Sequence, residues 1–275
     1  ATNPPARSTG YPYTQVPFTQ VKVAPSSFWG QRLAAARSVT VPLAFSKCES
    51  EHRYRNFSMA ASTLQHPGHK GLQTEEWNVG TFMGFPFDDT DVYKTIEGAS
   101  YLLQTYPDTR LKNYIDSVLT VVGAAQEPDG YLYTARTINP EHPHPWSGQH
   151  RWEKEEVLSH ELYNLGHMVD AACAHYQATG STKFLDIARR YADCVVREVG
   201  PKEGQATVVP GHQIAEMALC RLYLVTGEKK YLDEAKYMLD YRGKTKIHDI
   251  YSQSDKPITK QDRKSTRLNS SHECQ

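Results

Sequence analysis

The stretch YQATGSTKFLDIARRYAD, residues 176–193, recurs 47 residues later as YLVTGEKKYLDEAKYMLD, residues 223–240. Tyr176, Thr179, Gly180, Lys183, Leu185, Asp186, Ala188 and Asp193 reappear as Tyr223, Thr226, Gly227, Lys230, Leu232, Asp233, Ala235 and Asp240, and Phe184 is answered by Tyr231. On both sides of each Thr-Gly pair apolar residues fall at i, i+3, i+4 and i+7, the helical period. Each copy therefore reads as helix, tight turn, second helix, with glycine where the first helix must stop. A weaker echo lies at TYPDTRLKNYID, residues 105–116. Stacked hairpins of this length build either an open solenoid or a closed (α/α) toroid. Segments 46–86 and 127–158 are long and hold aromatic, histidine and glycine residues, as loops around the mouth of a toroid do. The period continues through WGQRLAAARSVTVPLAF, DVYKTIEGASYLLQTY, RLKNYIDSVLTVVGAAQ and HELYNLGHMVDAACAHYQAT. Before it, residues 1–26 form an extended lead-in, where the alternation in FTQVKVA allows one strand.

Composition excludes several classes. Lys plus Arg and Asp plus Glu both number 31, so the basic excess of a nucleic-acid binder is missing. No apolar run approaches the roughly 18 residues of a membrane span, and no signal-peptide pattern is visible. The chain opens on Ala1, which implies processing or incompleteness. Its five cysteines form no CxxC pair and no disulfide framework; they read as small buried hydrophobes. Asn56-Phe-Ser58 matches a glycosylation sequon. Residues 262–275, DRKSTRLNSSHECQ, have neither helical period nor turn logic. They resemble a translated sequencing adapter and are set apart from the fold.

The stretch SHELYNLGHMVDAACAHYQATG, residues 159–180, poses the functional question. An HExxH zinc site needs two histidines four apart. His160 and His167 are seven apart, ~10.5 Å along a helix axis, so one ion is poorly served by both. His167 and His175 read as satisfied helix residues. His160 differs, because it lies where a long loop enters a helix that Ser159 can cap. A neutral imidazole there can bond a sugar hydroxyl through either nitrogen. His212, in VVPGHQIAEMAL, occupies the equivalent place in the next hairpin. In FPFDDTDVYKTIEGASY, Asp88, Asp89, Asp91 and Glu97 either complement a helix dipole or supply acid–base chemistry. Asp89 or Thr90 can cap that helix, and Asp89 is the favoured sugar contact. Trp77, Trp146 and Trp152 in the long loops, with Tyr131 and Tyr133 after the Pro128-Asp129-Gly130 turn, either stack on sugars or plug loops onto the barrel.

FPFDDTDVYKTIEGASYLL, AAQEPDGYLYT, HELYNLGHMVDAACAHYQATG, PGHQIAEMALCRLYLVTGEKKYLD and RGKTKIHDIYSQSDKPITKQ together resemble the N-terminal half of the catalytic domain of glycoside hydrolase family 127, the β-L-arabinofuranosidase family, over about residues 17–261. The resemblance implies an all-α fold, an incomplete (α/α)6 toroid across residues 27–261. It implies a retaining exo-acting enzyme on terminal β-L-arabinofuranosyl units of plant-derived glycans, with a cysteine nucleophile held by zinc and a glutamate general acid/base. It places substrate-binding histidines on His160 and His212. Where many members read Gly-His-Pro-Glu-Ile-Glu, this chain reads Gly211-His212-Gln-Ile-Ala-Glu216, which keeps Glu216 and loses a neighbouring contact. The nucleophile, the acid/base and the zinc ligands belong beyond Gln261, so neither a catalytic residue nor a metal ligand is assigned here. The expectation is a carbohydrate substrate, no nucleic-acid partner, no membrane span, no zinc on this segment and no turnover by it alone. A bacterial periplasmic or secreted location is expected over a cytoplasmic one. A helical-repeat scaffold, or another (α/α) barrel glycosidase such as an unsaturated uronyl hydrolase, would use the same hairpins.

Overall fold

The computed structural model describes residues 13, 15–66, 82–242 and 244. Helix α1 (Phe28–Ala35) passes through a π-helical turn (Ala36–Thr40) into α2 (Val41–Ser50). Pro42 explains the wider turn: it has no N–H to give, and its ring crowds the carbonyl of Ser38, four residues back. The remaining helices are α3 (Arg53–Gln65), α4 (Asp89–Thr105), α5 (Thr109–Ala124), the short α6 (Thr134–Thr137), α7 (Glu161–Thr179), α8 (Lys183–Glu198), α9 (Ala215–Thr226) and α10 (Lys229–Tyr241).

They pair as four hairpins. Helices α2, α4, α7 and α9 pack side by side as an inner layer, and α3, α5, α8 and α10 follow outside them. The core fills the space between the layers, where Phe57, Tyr93 and Phe184 touch in series at centroid distances of 5.9 and 6.0 Å. Helix α7, between α4 and α9, is buried on nearly every side, including Ala171, Ala172, Cys173 and Ala174. The fold is thus the all-α toroid wall expected. Among the described residues there is no strand, only an isolated bridge between Val199 and Ala206. The lead-in forms a 3-10 turn at Phe18–Gln20 instead of the strand allowed by its alternation. Trp77, Gly243, Cys274 and residues 262–275 lie outside the described residues.

The two Thr-Gly turns are geometrically the same. Gly180 (φ 73°, ψ −2°) and Gly227 (φ 76°, ψ 2°) are left-handed, the region that favours glycine. Their N–H groups donate to Tyr176 O at 2.8 Å and Tyr223 O at 2.7 Å. The Thr179 and Thr226 hydroxyls donate to the carbonyls four back, at 2.7 and 2.8 Å. Each then accepts the N–H of the residue two ahead, at 3.2 Å in both copies. The repeated lysine ties each outer helix to the one before. Lys183 Nζ donates to Asp116 O on α5 at 2.5 Å, and Lys230 Nζ pairs with Asp193 on α8 at 2.7 Å.

His175 departs from expectation. It is fully buried against Phe184, and neither ring nitrogen has a hydrogen-bond partner. Burial pulls its pKa below the ordinary range, so it sits there as a neutral ring.

Gly166 sets the approach of α9 to α7. A Cβ at this position would stand 2.8 Å from Ala215 N and 2.6 Å from Ile214 Cγ2. Backbone cannot yield as a flexible side chain can. Gly166→Ala should therefore lower the unfolding free energy by roughly 1–3 kcal/mol, as overpacking does. Urea unfolding followed by tryptophan fluorescence measures this; a variant as stable as the parent would show that the two helices can separate freely.

Candidate functional site

His160 and His212 come together at one rim of the wall. Their rings meet edge to face with centroids 4.9 Å apart. Tyr163 packs against both, at 5.7 and 5.8 Å, and Phe87 reaches His160 at 5.0 Å. His167 joins one turn further down, 4.5 Å from Tyr163. Lys94 Nζ donates to Tyr163 Oη at 2.8 Å. Burial and the nearby Lys94 charge hold His167 down to about 4. Burial likewise lowers His160, so its ring is neutral at ordinary pH. Nδ1 of His160 lies against Leu158 O, and Nδ1 of His212 lies 3.1 Å from Gly211 O. A carbonyl only accepts, so each Nδ1 carries the proton. On the neutral His160 ring Nε2 keeps a lone pair, and the Nε2 of His212 is not used by its bond to Gly211 O, so two adjacent imidazole nitrogens remain to suit a diol.

The backbone that delivers His160 is unusual. His160 is itself the residue preceding α7, at φ 63°, and Trp152 across the loop has φ 66°. Left-handed conformations of this sort cost bulky residues energy and need outside support. Glu161 supplies it. Its carboxylate accepts from Tyr131 Oη at 2.5 Å, Trp152 N at 3.0 Å and Ser159 Oγ at 2.8 Å. Tyr133 Oη donates to Ser159 O at 2.5 Å. Ser159 is therefore not a helix cap; its hydroxyl serves Glu161. Beside this group lies a second fully buried carboxyl, Glu155, which accepts Leu162 N at 3.1 Å. Glu155 Oε1 has no partner, whereas Glu161 has donors at both oxygens. Burial, then the Glu161 charge, raises Glu155 well above the usual carboxylate range. Glu155 is the member of the pair that holds a proton.

The structure gives Asp89 a different place from the one expected. It is 2% exposed, and its oxygens accept Thr134 N at 3.0 Å and Thr134 Oγ1 at 2.6 Å. Burial raises it to about 7. Neither Asp89 nor Thr90 caps α4 through its side chain; Asp88 occupies the capping position and makes no such bond. Asp88 and Asp91 both pair with Arg53, at 3.0 and 2.9 Å. Glu97 lies lower on α4, bonded to Tyr101 in a group with Asp170 and Arg221. Tyr131, Tyr133 and Trp152 are core residues, while Trp146 is exposed. Asn56 is 1% exposed and its amide holds Met83 O at 2.8 Å, so the sequon is structural. Glu216 pairs with Arg242 at 3.0 Å, and Arg242 also donates to Pro210 O at 2.7 Å, which fastens the loop bearing His212.

Among the described residues one grouping of metal-ligating side chains closes within 4.8 Å: Asp129, Cys194 and Glu198. It does not fit zinc. Arg151 already stands in it, 2.6 Å from Asp129 and 2.9 Å from Glu198. Burial pushes the Cys194 thiol up, away from the thiolate that zinc takes. No helix of the described residues is long and apolar enough to cross a membrane.

The family model for the β-L-arabinofuranosidase GH127 catalytic domain matches residues 20–269. The chain belongs to glycoside hydrolase family 127. A non-reducing end β-L-arabinofuranosidase of Bifidobacterium longum subsp. longum is 40% identical over 162 residues, 59% of this chain and 24% of that protein. A solved GH127 β-arabinofuranosidase superposes with a TM-score of 0.78 at 62% identity, covering 88% of this chain and 36% of the other. A GH127 β-L-arabinofuranosidase from Geobacillus stearothermophilus T6 gives 0.68 at 36% identity, covering 79% and 32%. The chain thus spans about a third of the solved relatives and a quarter of the curated one.

Sequence reasoning missed Phe87, Tyr163 and the Glu155–Glu161 pair. Tyr163 had a signal, being three residues from His160 and four from His167 on one helix face. The carboxyl pair had none, since its burial depends on Tyr131, 30 residues before Glu161.

Two substitutions separate the charges of the pair. Glu155→Gln mimics the neutral acid and should be tolerated. Glu161→Gln puts an amide among donors and should cost roughly 2–4 kcal/mol. The unfolded Glu155 carboxyl ionises near pH 4 while the folded one does not, so its contribution is full below that pH and is lost as pH rises toward the folded value. The stability of the native chain relative to Glu155→Gln should therefore fall as pH rises above about 5, by about 1.4 kcal/mol per pH unit until the folded carboxyl ionises. A flat difference would mean that Glu155 is ionised in the fold.

Proposed function

We propose that this segment is the substrate wall of a retaining, exo-acting β-L-arabinofuranosidase that works on terminal units of plant-derived glycans. The observation that carries the reading is the imidazole pair, two rings 4.9 Å apart at one rim. Each leaves its Nε2 to a sugar hydroxyl, and each has a proton fixed at Nδ1 by a backbone carbonyl. They orient the sugar and accept its hydroxyl protons; a depressed pKa makes His160 a poor proton donor. Phe87 and Tyr163 give the ring an apolar surface beside those acceptors.

Glycoside hydrolysis needs a proton donor and a nucleophile on opposite sides of the scissile bond. In this reading both, together with the zinc that holds a cysteine nucleophile, come from family sequence outside the described residues. Zinc there would stabilise the thiolate. The enzyme acts in the bacterial periplasm or outside the cell.

Saturation-transfer NMR with methyl β-L-arabinofuranoside tests the wall directly. The native chain should bind the glycoside weakly. His160→Ala and His212→Ala should each lower affinity about tenfold, the worth of a good hydrogen bond to a desolvated partner. An aryl β-L-arabinofuranoside should be hydrolysed no faster than the blank, with or without zinc. Equal binding by the two variants, or turnover by the chain, would overturn the assignment.

A further inference from the structure

Outside the imidazole pair, the rim carries aromatic side chains that no core requires. Phe85 is 51% exposed and Trp146 is 37% exposed. They are not scattered. Trp146 lies 5.6 Å from Phe85, Phe85 stacks on Phe87 at 5.3 Å with planes 5° apart, and Phe87 touches His160. The rings form a continuous rail that ends at the two histidines. We propose that Phe85 and Trp146 are the platform for the second sugar ring of the glycan, the one joined to the terminal arabinofuranosyl unit; this rests on the reading of His160 and His212 given above.

Three observations support a built platform. The backbone on both sides is fixed before any ligand arrives. Phe85 N donates to Asp88 Oδ2 at 2.7 Å, and Asp88 is held by Arg53. Buried Arg136 donates to the carbonyls of Ser147, Gly148, Gln149 and His150, all within 2.9 Å, and Lys154 Nζ donates to Pro145 O at 3.0 Å. Rings so held lose little freedom on binding, which is what makes an exposed aromatic useful.

The polar group beside the rail is also suited to a sugar. His144 meets Trp146 edge to face at 5.9 Å, and its Nδ1 accepts Trp146 N at 3.2 Å. Its proton is therefore on Nε2, a donor for a hydroxyl or ring oxygen. Burial lowers its pKa, so the ring is neutral.

Finally, the rail residues carry no charge. A sugar shows C–H groups on one face and hydroxyls at its edges, the pattern of a ring flanked by neutral imidazole. A nucleobase would stack equally well, but its phosphates need cations along the groove, and the chain has no basic excess.

The test compares two probes on the 275-residue chain by saturation-transfer NMR: methyl β-L-arabinofuranoside, one ring, and the methyl glycoside of a β-linked arabinofuranosyl disaccharide, two rings. The native chain should bind the two-ring probe about tenfold more tightly, the scale of one aromatic contact with a sugar face. Phe85→Ala with Trp146→Ala should abolish that gain and leave the one-ring affinity unchanged. Trp146→Phe, which keeps a ring, should retain most of it. A gain that survives the double alanine variant, or an equal fall for both probes, overturns the platform while the imidazole reading stands. His160→Ala should weaken both probes together. If the native chain binds neither probe, the imidazole reading fails and the platform with it.

Discussion

One buried anion organises this rim. The Glu161 carboxylate gathers a tyrosine hydroxyl from 30 residues away with a serine hydroxyl and a backbone N–H from the loop that leads into its own helix. Two of those donors lie next to or within left-handed residues that would not hold their shape unaided. A buried charge without partners would be intolerable, so the carboxylate forces the segments to close around it. The position of His160 is a consequence of that closure. Glu155 shares the same small volume and cannot also be charged, which explains why the pair keeps one proton.

The second histidine is fixed by different means. Helix α9 reaches α7 only because Gly166 has no side chain to hold it off. The loop ahead of α9 is then fastened by Glu216 and Arg242. A helix contact and an ion pair therefore bring His212 to within an edge-to-face contact of His160. The rim is assembled from two independent supports, one a hydrogen-bond web and one a packing contact.

The hairpins were legible in the sequence because their signals are local. The Thr-Gly turns need a left-handed residue, and only glycine supplies it cheaply, so the repeat and its glycines announced each other. The shared rim position of His160 and His212 was legible for a related reason, since each stands where a loop enters an inner helix. Asp89 misled because a carboxylate just before a helix looks like a cap or a rim residue in sequence. Nothing local reveals that Thr134, 45 residues away, takes both its oxygens. Asn56 misled likewise, since its bond to Met83 spans 27 residues. His175 was expected to be satisfied because buried polar groups generally are; its environment is apolar, and it resolves the conflict by staying neutral. The family resemblance reached the histidines but not the web beneath them.

The lysine that ties each outer helix to the one before it, Lys183 to α5 and Lys230 to α8, has a consequence for how the chain is made. Each hairpin finds its main contacts on the hairpin that precedes it. A wall joined mainly between neighbours, with Arg221 of α9 reaching back past α7 to Tyr101 of α4, can form in the order of synthesis, every new hairpin docking on a surface already made. Most early contacts then have no distant partner to wait for, and the apolar side exposed at any moment belongs chiefly to the newest hairpin.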